Sequence, residues 1–379
     1  MKSNKRLVIA VNTRLLLKGK LEGIGRFAHE TLKRMVQAMP EAEFHFFFDR
    51  PWHSDFIYGP NVIPHVLYPQ ARHPFLYLAF FELAVPYMLK KIQADVYFSP
   101  DGYLSLASDV PQIGVMHDIA FMHFPQDIGK IHAWHYHRWF PKFAHKAAQI
   151  LTVSQYSKQD ICTTWKISPG KIGVVYNGCS EIFKPISEIE KVQVCQTYSQ
   201  GRPYFLYAGA IQPRKNLENL LLAFDAFKTK TGLPHCLVLT GRKAWNFGEV
   251  VKTYESMRHK ADVIFTGYVT DEVLNQLYNA AQALVYVSRF EGFGLPLLEA
   301  MHAETALISS NTSSMPEVAG EAALYVNPES VGEIQAAISR LAEDDALRSA
   351  LIEKGRKQRK KFSWDQTAQA CLEAILRVS

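Results

Sequence analysis

Twelve short runs of apolar, β-favouring residues punctuate this chain, and helical stretches separate them. That alternation constrains the fold more than any other feature. In the first half the runs are Leu7–Val11, Phe44–Phe48, Val96–Ser99, Ile113–Met116, Ile150–Val153 and Ile172–Tyr176. In the second they are Tyr204–Ala208, Cys236–Thr240, Val263–Thr266, Leu284–Ser288, Ala306–Ser309 and Leu324–Asn327. Most are continuously apolar, as befits strands covered on both faces of a parallel sheet. The stretch after Asn216 places Leu217, Leu220, Leu221, Phe224 and Phe227 at helical spacing, with Asn216 suited to cap it. Ser314 and Glu317 read as a capping box. Strands alternating with helices in both halves predict two doubly wound, Rossmann-like α/β domains.

The length, 379 residues, agrees with that number of domains at roughly 100–200 residues each. The polar stretch Ser187–Arg202 reads as a linker between a domain over residues 1–186 and another over 203–360. Ligands of open α/β sheets bind beyond the carboxyl ends of the strands. Two such domains are therefore expected to face each other across a cleft. The loops after Ala208, Thr240, Thr266 and Ser288 would line it. No repeat of fixed period and no low-complexity tract interrupts this plan.

Composition narrows the function classes. Five cysteines with no CxxC pair argue against a disulfide framework or a thiolate zinc site and fit a reducing cytoplasm. Met1–Arg6 is basic, but Leu7–Val11 is too short for a signal-peptide core. Phe75–Leu89 is the most apolar long stretch. It is broken by Glu82 and Pro86 and falls short of the ~20 residues that span a bilayer. A buried or amphipathic helix is the expectation there, with contact at a membrane surface as the alternative. Net charge is +6, and it is uneven: residues 1–190 hold 21 Lys/Arg against 16 Asp/Glu, and the remainder 21 against 20. So small an excess gives no case for nucleic-acid binding.

The strongest motif is the run from Arg289 to Ala300, with Glu291, Phe293, Gly294, Leu295, Pro296 and Glu299. It follows a strand and opens a helix, with Pro296 suited to the first helical position. The amides around Phe293–Leu295 would then be free donors at the positive end of a helix, which is an anion site. Glu291 and Glu299 flank it. Carboxylates accept hydrogen bonds from hydroxyls, often two at once. A ligand with phosphate at its centre and a diol on each side would satisfy the whole set, and a nucleoside diphosphate sugar is such a ligand. Gly209–Asn216 is the second motif. It puts Arg214 and Lys215 at a helix start, where the dipole disfavours cations unless an anion is present.

Two motifs in the first half are weaker. Leu21–Arg26 holds Gly23 and Gly25, which permit close backbone approach to a ligand or form a plain turn. The order is not that of a dinucleotide fingerprint. His117 follows a strand, where it could hydrogen-bond a substrate oxygen. His123, His132, His135, His137 and His145 crowd one region, but none stands in a His-Glu-x-x-His pattern. We expect no metal there, and read the region as an aromatic, basic lid over an acceptor.

Taken together, these residues resemble the retaining glycosyltransferases of family 4, which have the GT-B fold. Glu291 and Glu299 match that family's Glu-x7-Glu motif. The segments Leu206–Asn216, Leu239–Arg242, Phe265–Tyr268, Thr152–Ser154 and Val175–Gly178 extend the likeness over nearly the whole chain. Among subgroups it is most similar to mannosyltransferase-like enzymes of bacterial polysaccharide assembly. The resemblance implies that Arg214 and Lys215 bind the donor diphosphate and that Phe293, Gly294 and Leu295 meet the phosphates and sugar. Gly209 lies in the donor loop. Glu291 would hold donor-sugar hydroxyls and Glu299 the ribose diol, with Gly241 and Val269 near the base. Gly25 would approach the diphosphate, and His117 would contact the sugar near its reacting carbon. Residues 1–186 would be the acceptor-side domain, with residues 361–379 as a helix returning to it, and residues 203–360 the domain that binds the nucleotide-sugar donor.

The resemblance further implies front-face attack, with the leaving phosphate helping to deprotonate a glycan or lipid-linked acceptor. It implies neither metal nor other cofactor, and a cytoplasmic location, with the inner face of the membrane as a variant. One departure is that family 4 commonly has two adjacent glycines in the first loop, where this chain has Gly23-Ile-Gly25-Arg26. The rival expectations are a GT-B sugar-nucleotide epimerase or hydrolase, and a non-catalytic nucleotide-sugar-binding subunit.

Overall fold

The computed structural model describes residues 6–21, 23–242 and 248–379. Most of the basic N-terminal stretch and Glu22 of the glycine segment lie outside these residues. The chain forms two compact units, one of residues 1–178 and 363–379, the other of residues 179–362.

The first unit is built on a wholly parallel seven-stranded sheet of order β3-β2-β1-β4-β5-β6-β7. Its strands are β1 Val8–Asn12, β2 Glu43–Phe48, β3 Val62–Val66, β4 Val96–Ser99, β5 Gln112–Val115, β6 Gln149–Thr152 and β7 Ile172–Val174. Six match the apolar runs. The seventh, β3, escapes that pattern because it is an edge strand, exposed at Ile63, only half-buried from Pro64 to Val66, and interrupted by that proline. Proline is tolerated at an edge, where a missing N–H breaks no ladder. An aromatic core of Tyr77, Phe80, Phe81, Tyr97, Tyr103, Phe140, Phe143 and Trp165 lies against the sheet. The final helix, Trp364–Val378, buries Trp364, Ala368, Cys371, Leu372 and Ile375 and packs along the helix Gly23–Ala38. Gly178 makes that closure possible, since a Cβ there would stand 2.4 Å from the Trp364 nitrogen.

The second unit has a parallel six-stranded sheet of order β10-β9-β8-β11-β12-β13. The strands are β8 Tyr204–Ala208, β9 Cys236–Thr240, β10 Val263–Gly267, β11 Ala283–Tyr286, β12 Ala306–Ser310 and β13 Ala323–Val326. All six coincide with apolar runs, and β8, β9, β11 and β12 are buried at every residue. That is the signature of inner strands with helices on both faces.

Several local expectations are corrected. Ser187–Arg202 is no linker: Glu188–Ser199 is a helix with a full capping box from Ser187 and Glu190, and it packs on the helix Asp271–Ala280 of its own unit. The charged sequence hid it, because little of the helix is buried beyond Val194 and Ser199. Gly23 and Gly25 form no loop but open the helix Gly23–Ala38. The helix expected over Phe75–Leu89, by contrast, is present, within a continuous helical stretch, Pro74–Lys91, that has a π-helical segment at Phe80–Ala84.

Candidate active site

In the second sheet the chain order reverses between β8 and β11, which are neighbours. The loops beyond the carboxyl ends of these two strands therefore meet, and a doubly wound sheet binds ligands at such a point. Arg214 and Lys215 come from the first loop, on a short 3-10 turn, Pro213–Lys215. Glu291 comes from the second. The loops are tied by backbone, with Arg289 N donating to Arg214 O at 2.8 Å. Arg214 Nη1 donates to Phe290 O at 2.7 Å and to Glu291 Oε2 at 3.0 Å. Lys215 Nζ donates to the Tyr286 hydroxyl at 2.7 Å and to Glu291 Oε1. Tyr286 in turn donates to Glu291 Oε1 at 2.9 Å.

Glu291 is buried, and burial alone would raise its pKa. The adjacent Lys215 and Arg214 outweigh that and hold the carboxyl at about 2. The result is a fixed carboxylate with two fixed cations, at a place where a protein interior strengthens every charge interaction. Asn216 does not cap the helix Leu217–Thr231, as its sequence position suggested. It sits in the left-handed region at φ 62°, and its Nδ2 donates to Val287 O and Pro328 O. Its side chain joins the two loops instead.

Beyond Glu291 the chain turns through Gly294, at φ 95°, into the helix Leu295–His302. Pro296 is its second residue rather than its first. In this first turn Pro296 carries no N–H and Leu297 N donates to Gly294 O at 3.0 Å, so Leu295 presents the leading amide of the helix. Ser314 and Ser313 hold the approach. Ser314 Oγ lies 2.9 Å from Glu291 O and 3.0 Å from Phe293 O, while Glu291 N donates to Ser313 Oγ at 3.0 Å. This overturns the capping box read at Ser314, because the hydroxyl bonds to the motif loop and not to its own helix. Glu299 is buried in the helix, and its Oε2 accepts from the Tyr278 hydroxyl at 3.0 Å.

Gly209 and Gly241 end β8 and β9 side by side. A Cβ on Gly241 would stand 1.9 Å from Gly209 O, and its φ of 140° is strained for any L side chain. Val269 is half-buried, in the segment between β10 and the helix Asp271–Ala280.

The structure thus assembles Arg214, Lys215, Glu291, Phe293, Gly294, Leu295 and Glu299 along two adjoining loops and one helix, with Gly209 in the first loop. His117 and Gly25 belong to the other unit. His117 Nε2 donates to Pro100 O at 2.8 Å, and its ring stands edge-on to Phe27. Burial lowers its pKa. A neutral ring with its proton on Nε2 leaves Nδ1 as an acceptor. Gly25 lies where a Cβ would come within 2.9 Å of Leu15 O, so the close approach it permits here is to the chain's own backbone.

Sequence reasoning missed Tyr278, Tyr286, Ser313 and Ser314. The tyrosines sit in apolar periodic runs, where a ring reads as core, and only the fold shows their hydroxyls reaching Glu299 and Glu291. Among the described residues no group of three or more His, Cys, Asp or Glu could hold a metal ion. No described helix is long and apolar enough to cross a membrane.

Two family models match the chain. "Glycosyltransferase Family 4" covers residues 21–181 and "Glycosyl transferases group 1" covers residues 192–358. O-antigen chain mannosyltransferase B of Escherichia coli is 30% identical over 376 residues, 94% of this chain and 97% of its own length. O-antigen chain mannosyltransferase RfbU of Salmonella typhimurium is 32% identical over 232 residues, 60% of each protein. Among solved structures, Anabaena HepE in complex with UDP-glucose superimposes with a TM-score of 0.76 at 16% identity, over 98% of this chain and 100% of that one.

Proposed function

The chain belongs to the glycosyltransferases, joining a family 4 segment to a group 1 segment, and from that premise we propose that it transfers a hexose from a nucleoside diphosphate sugar. The acceptor is a glycan or lipid-linked saccharide in polysaccharide biosynthesis, the setting named by its O-antigen relatives. Mannose is the first donor sugar to try, because both relatives are mannosyltransferases. One observation carries the reading: Arg214, Lys215 and Glu291 converge where the strand order of the group 1 segment reverses, beside the amide end of the helix Leu295–His302.

In this mechanism the nucleoside diphosphate leaves as negative charge builds on its outer phosphate. Arg214, Lys215 and the Phe293–Leu295 amides meet that charge. Preorganised donors of this kind need no reorganisation during the reaction. Glu291, held ionised, accepts from donor-sugar hydroxyls, and Glu299 accepts from the ribose diol. The Nδ1 of His117 accepts from a hydroxyl near the reacting carbon. The configuration is retained, with the leaving phosphate taking the acceptor proton. Neither metal nor other cofactor takes part.

We place the enzyme in the cytoplasm, with the inner face of the membrane as the variant of that reading. Exposed Phe75, Leu83 and Tyr87 on Pro74–Lys91, with Lys90 and Lys91 at its end, favour contact with an anionic surface.

Calorimetry with free nucleoside diphosphate tests the division of labour. Glu299→Ala should weaken nucleoside diphosphate and intact donor alike. Glu291→Ala should spare the nucleoside diphosphate and lower transfer, by about 10–150-fold for a lost charged hydrogen bond. Equal weakening by both, or the reverse pattern, rejects these roles. Product analysis with and without acceptor separates transfer from hydrolysis or epimerisation.

A further inference from the structure

Each glutamate of the run from Arg289 to Ala300 is met by a tyrosine hydroxyl from outside that run. Tyr286, the last residue of β11, donates to Glu291. Tyr278 donates to Glu299 Oε2 at 3.0 Å. It comes from the helix Asp271–Ala280, which leads into β11, whereas Glu299 stands in the helix Leu295–His302, which follows that strand. The two side chains meet where these helices pack together.

Tyr278 is wholly buried and held on several sides. Its ring stands edge-on to Phe183, with centroids 6.0 Å apart. Its carbonyl accepts from Thr305 Oγ1 at 2.7 Å and from Ala281 N at 3.1 Å. The carbonyl before it, Leu277 O, accepts from the Tyr204 hydroxyl at 2.7 Å. Burial, and then the charge of Glu299, push the Tyr278 hydroxyl well above the ordinary tyrosine value. The phenol therefore keeps its proton and stays a donor.

A phenylalanine would fill the same space, so what the hydroxyl adds is control over Glu299. The last torsion of a glutamate is broad and roughly two-fold, so packing of the methylenes does not fix the carboxylate plane. A proton donor anchored against one oxygen does. Orientation matters for a diol, because two neighbouring hydroxyls reach one carboxylate together only when its plane faces them. A phenol also brings no positive charge to offset the carboxylate, unlike the Lys215 and Arg214 that flank Glu291.

We propose that Tyr278 is a positioning residue for the nucleoside: acting through Glu299, it sets how strongly the site prefers a ribonucleotide to its 2′-deoxy counterpart. The inference rests on the reading of Glu299 as the acceptor for the ribose diol.

Calorimetry on the full chain tests it. Titration with UDP, GDP and ADP first finds the base that binds. That nucleotide and its 2′-deoxy form are then titrated into wild type, Tyr278→Phe and Glu299→Ala. Wild type should favour the ribonucleotide by about tenfold or more, the scale of one hydrogen bond to a charged group. Tyr278→Phe should lose most of that preference, through weaker ribonucleotide binding, while circular dichroism stays native. Tyr278→Met, which also removes the hydroxyl but keeps bulk, should behave alike. A tyrosine that served packing alone would leave the preference unchanged, whatever happened to affinity. Glu299→Ala should abolish the preference, and adding Tyr278→Phe to it should alter the preference no further. A preference that Glu299→Ala removes but that stands intact in folded Tyr278→Phe or Tyr278→Met overturns this proposal alone. A wild type without preference, a preference that survives Glu299→Ala, or no nucleotide binding at all overturns the ribose reading and this proposal with it.

Discussion

At the scale of single residues, Lys215 and Glu291 carry two burdens. They are nearly buried, with side chains 10% and 8% exposed, and each is the other's counter-charge. Removing one partner of a buried pair leaves an uncompensated charge, commonly at ~3–5 kcal/mol. Lys215→Ala should therefore lower the melting temperature of the second unit, and also cut turnover by ~10²–10³ as a lost charge stabiliser. Wild-type turnover in a variant shown to be folded would remove Lys215 from the chemistry. Acid should find the same pair. The Glu291 carboxyl is at about 2 in the folded chain against an ordinary 4.5, so it binds its proton more readily when unfolded. Its contribution to stability is complete above the ordinary value and is lost as pH falls towards 2. Thermal melts between pH 5 and 2 should show the second unit losing stability, and Glu291→Gln should flatten that loss.

At the scale of elements, the loop 287–294 is held from behind by the turn that carries Ser313 and Ser314. Ser314→Ala would remove the hydroxyl donor that the Glu291 and Phe293 carbonyls share, at about 1–3 kcal/mol. The amide end of the helix Leu295–His302 should then be less well placed. We expect nucleoside diphosphate affinity to fall about tenfold, measured by calorimetry, while circular dichroism stays native. Unchanged affinity would mean that the loop holds itself. This contact also shows where sequence reading stops. Twelve strands were legible because most are continuous apolar runs, and the donor-side motif was legible because proline, glycine and glutamate stand at fixed spacing beside one of them. Ser314 was legible only as a helix cap, because a hydroxyl before Met-Pro-Glu has that local use. Its actual partners lie more than 20 positions away, and nothing local encodes them. Tyr286 is hidden in the same way, since its hydroxyl joins the ends of β8 and β11, strands far apart in the chain.

At the scale of the whole molecule, the transfer reading predicts activity that survives EDTA, because fixed cations do the work a metal would otherwise do. Complete loss in EDTA, restored by Mn²⁺ or Mg²⁺, would overturn it. The architecture makes a separate prediction. Cutting the chain after Phe362 removes a helix that buries Trp364, Leu372 and Ile375 in the first unit and leaves the second whole. Calorimetry should show the first unit's transition lost or strongly lowered, and UDP or GDP binding by the second retained. Equal loss of both transitions would mean that the units do not fold separately. The return of the last helix has a further consequence, for synthesis. A ribosome releases this chain from one end, so the first unit emerges early yet lacks its closing helix until Trp364–Val378 follows the second unit. The second unit, an insertion within the first, is complete before then. The order of completion is therefore the reverse of the order of appearance, and until that helix emerges the nascent first unit bares the apolar surface that Trp364 and Ile375 will cover.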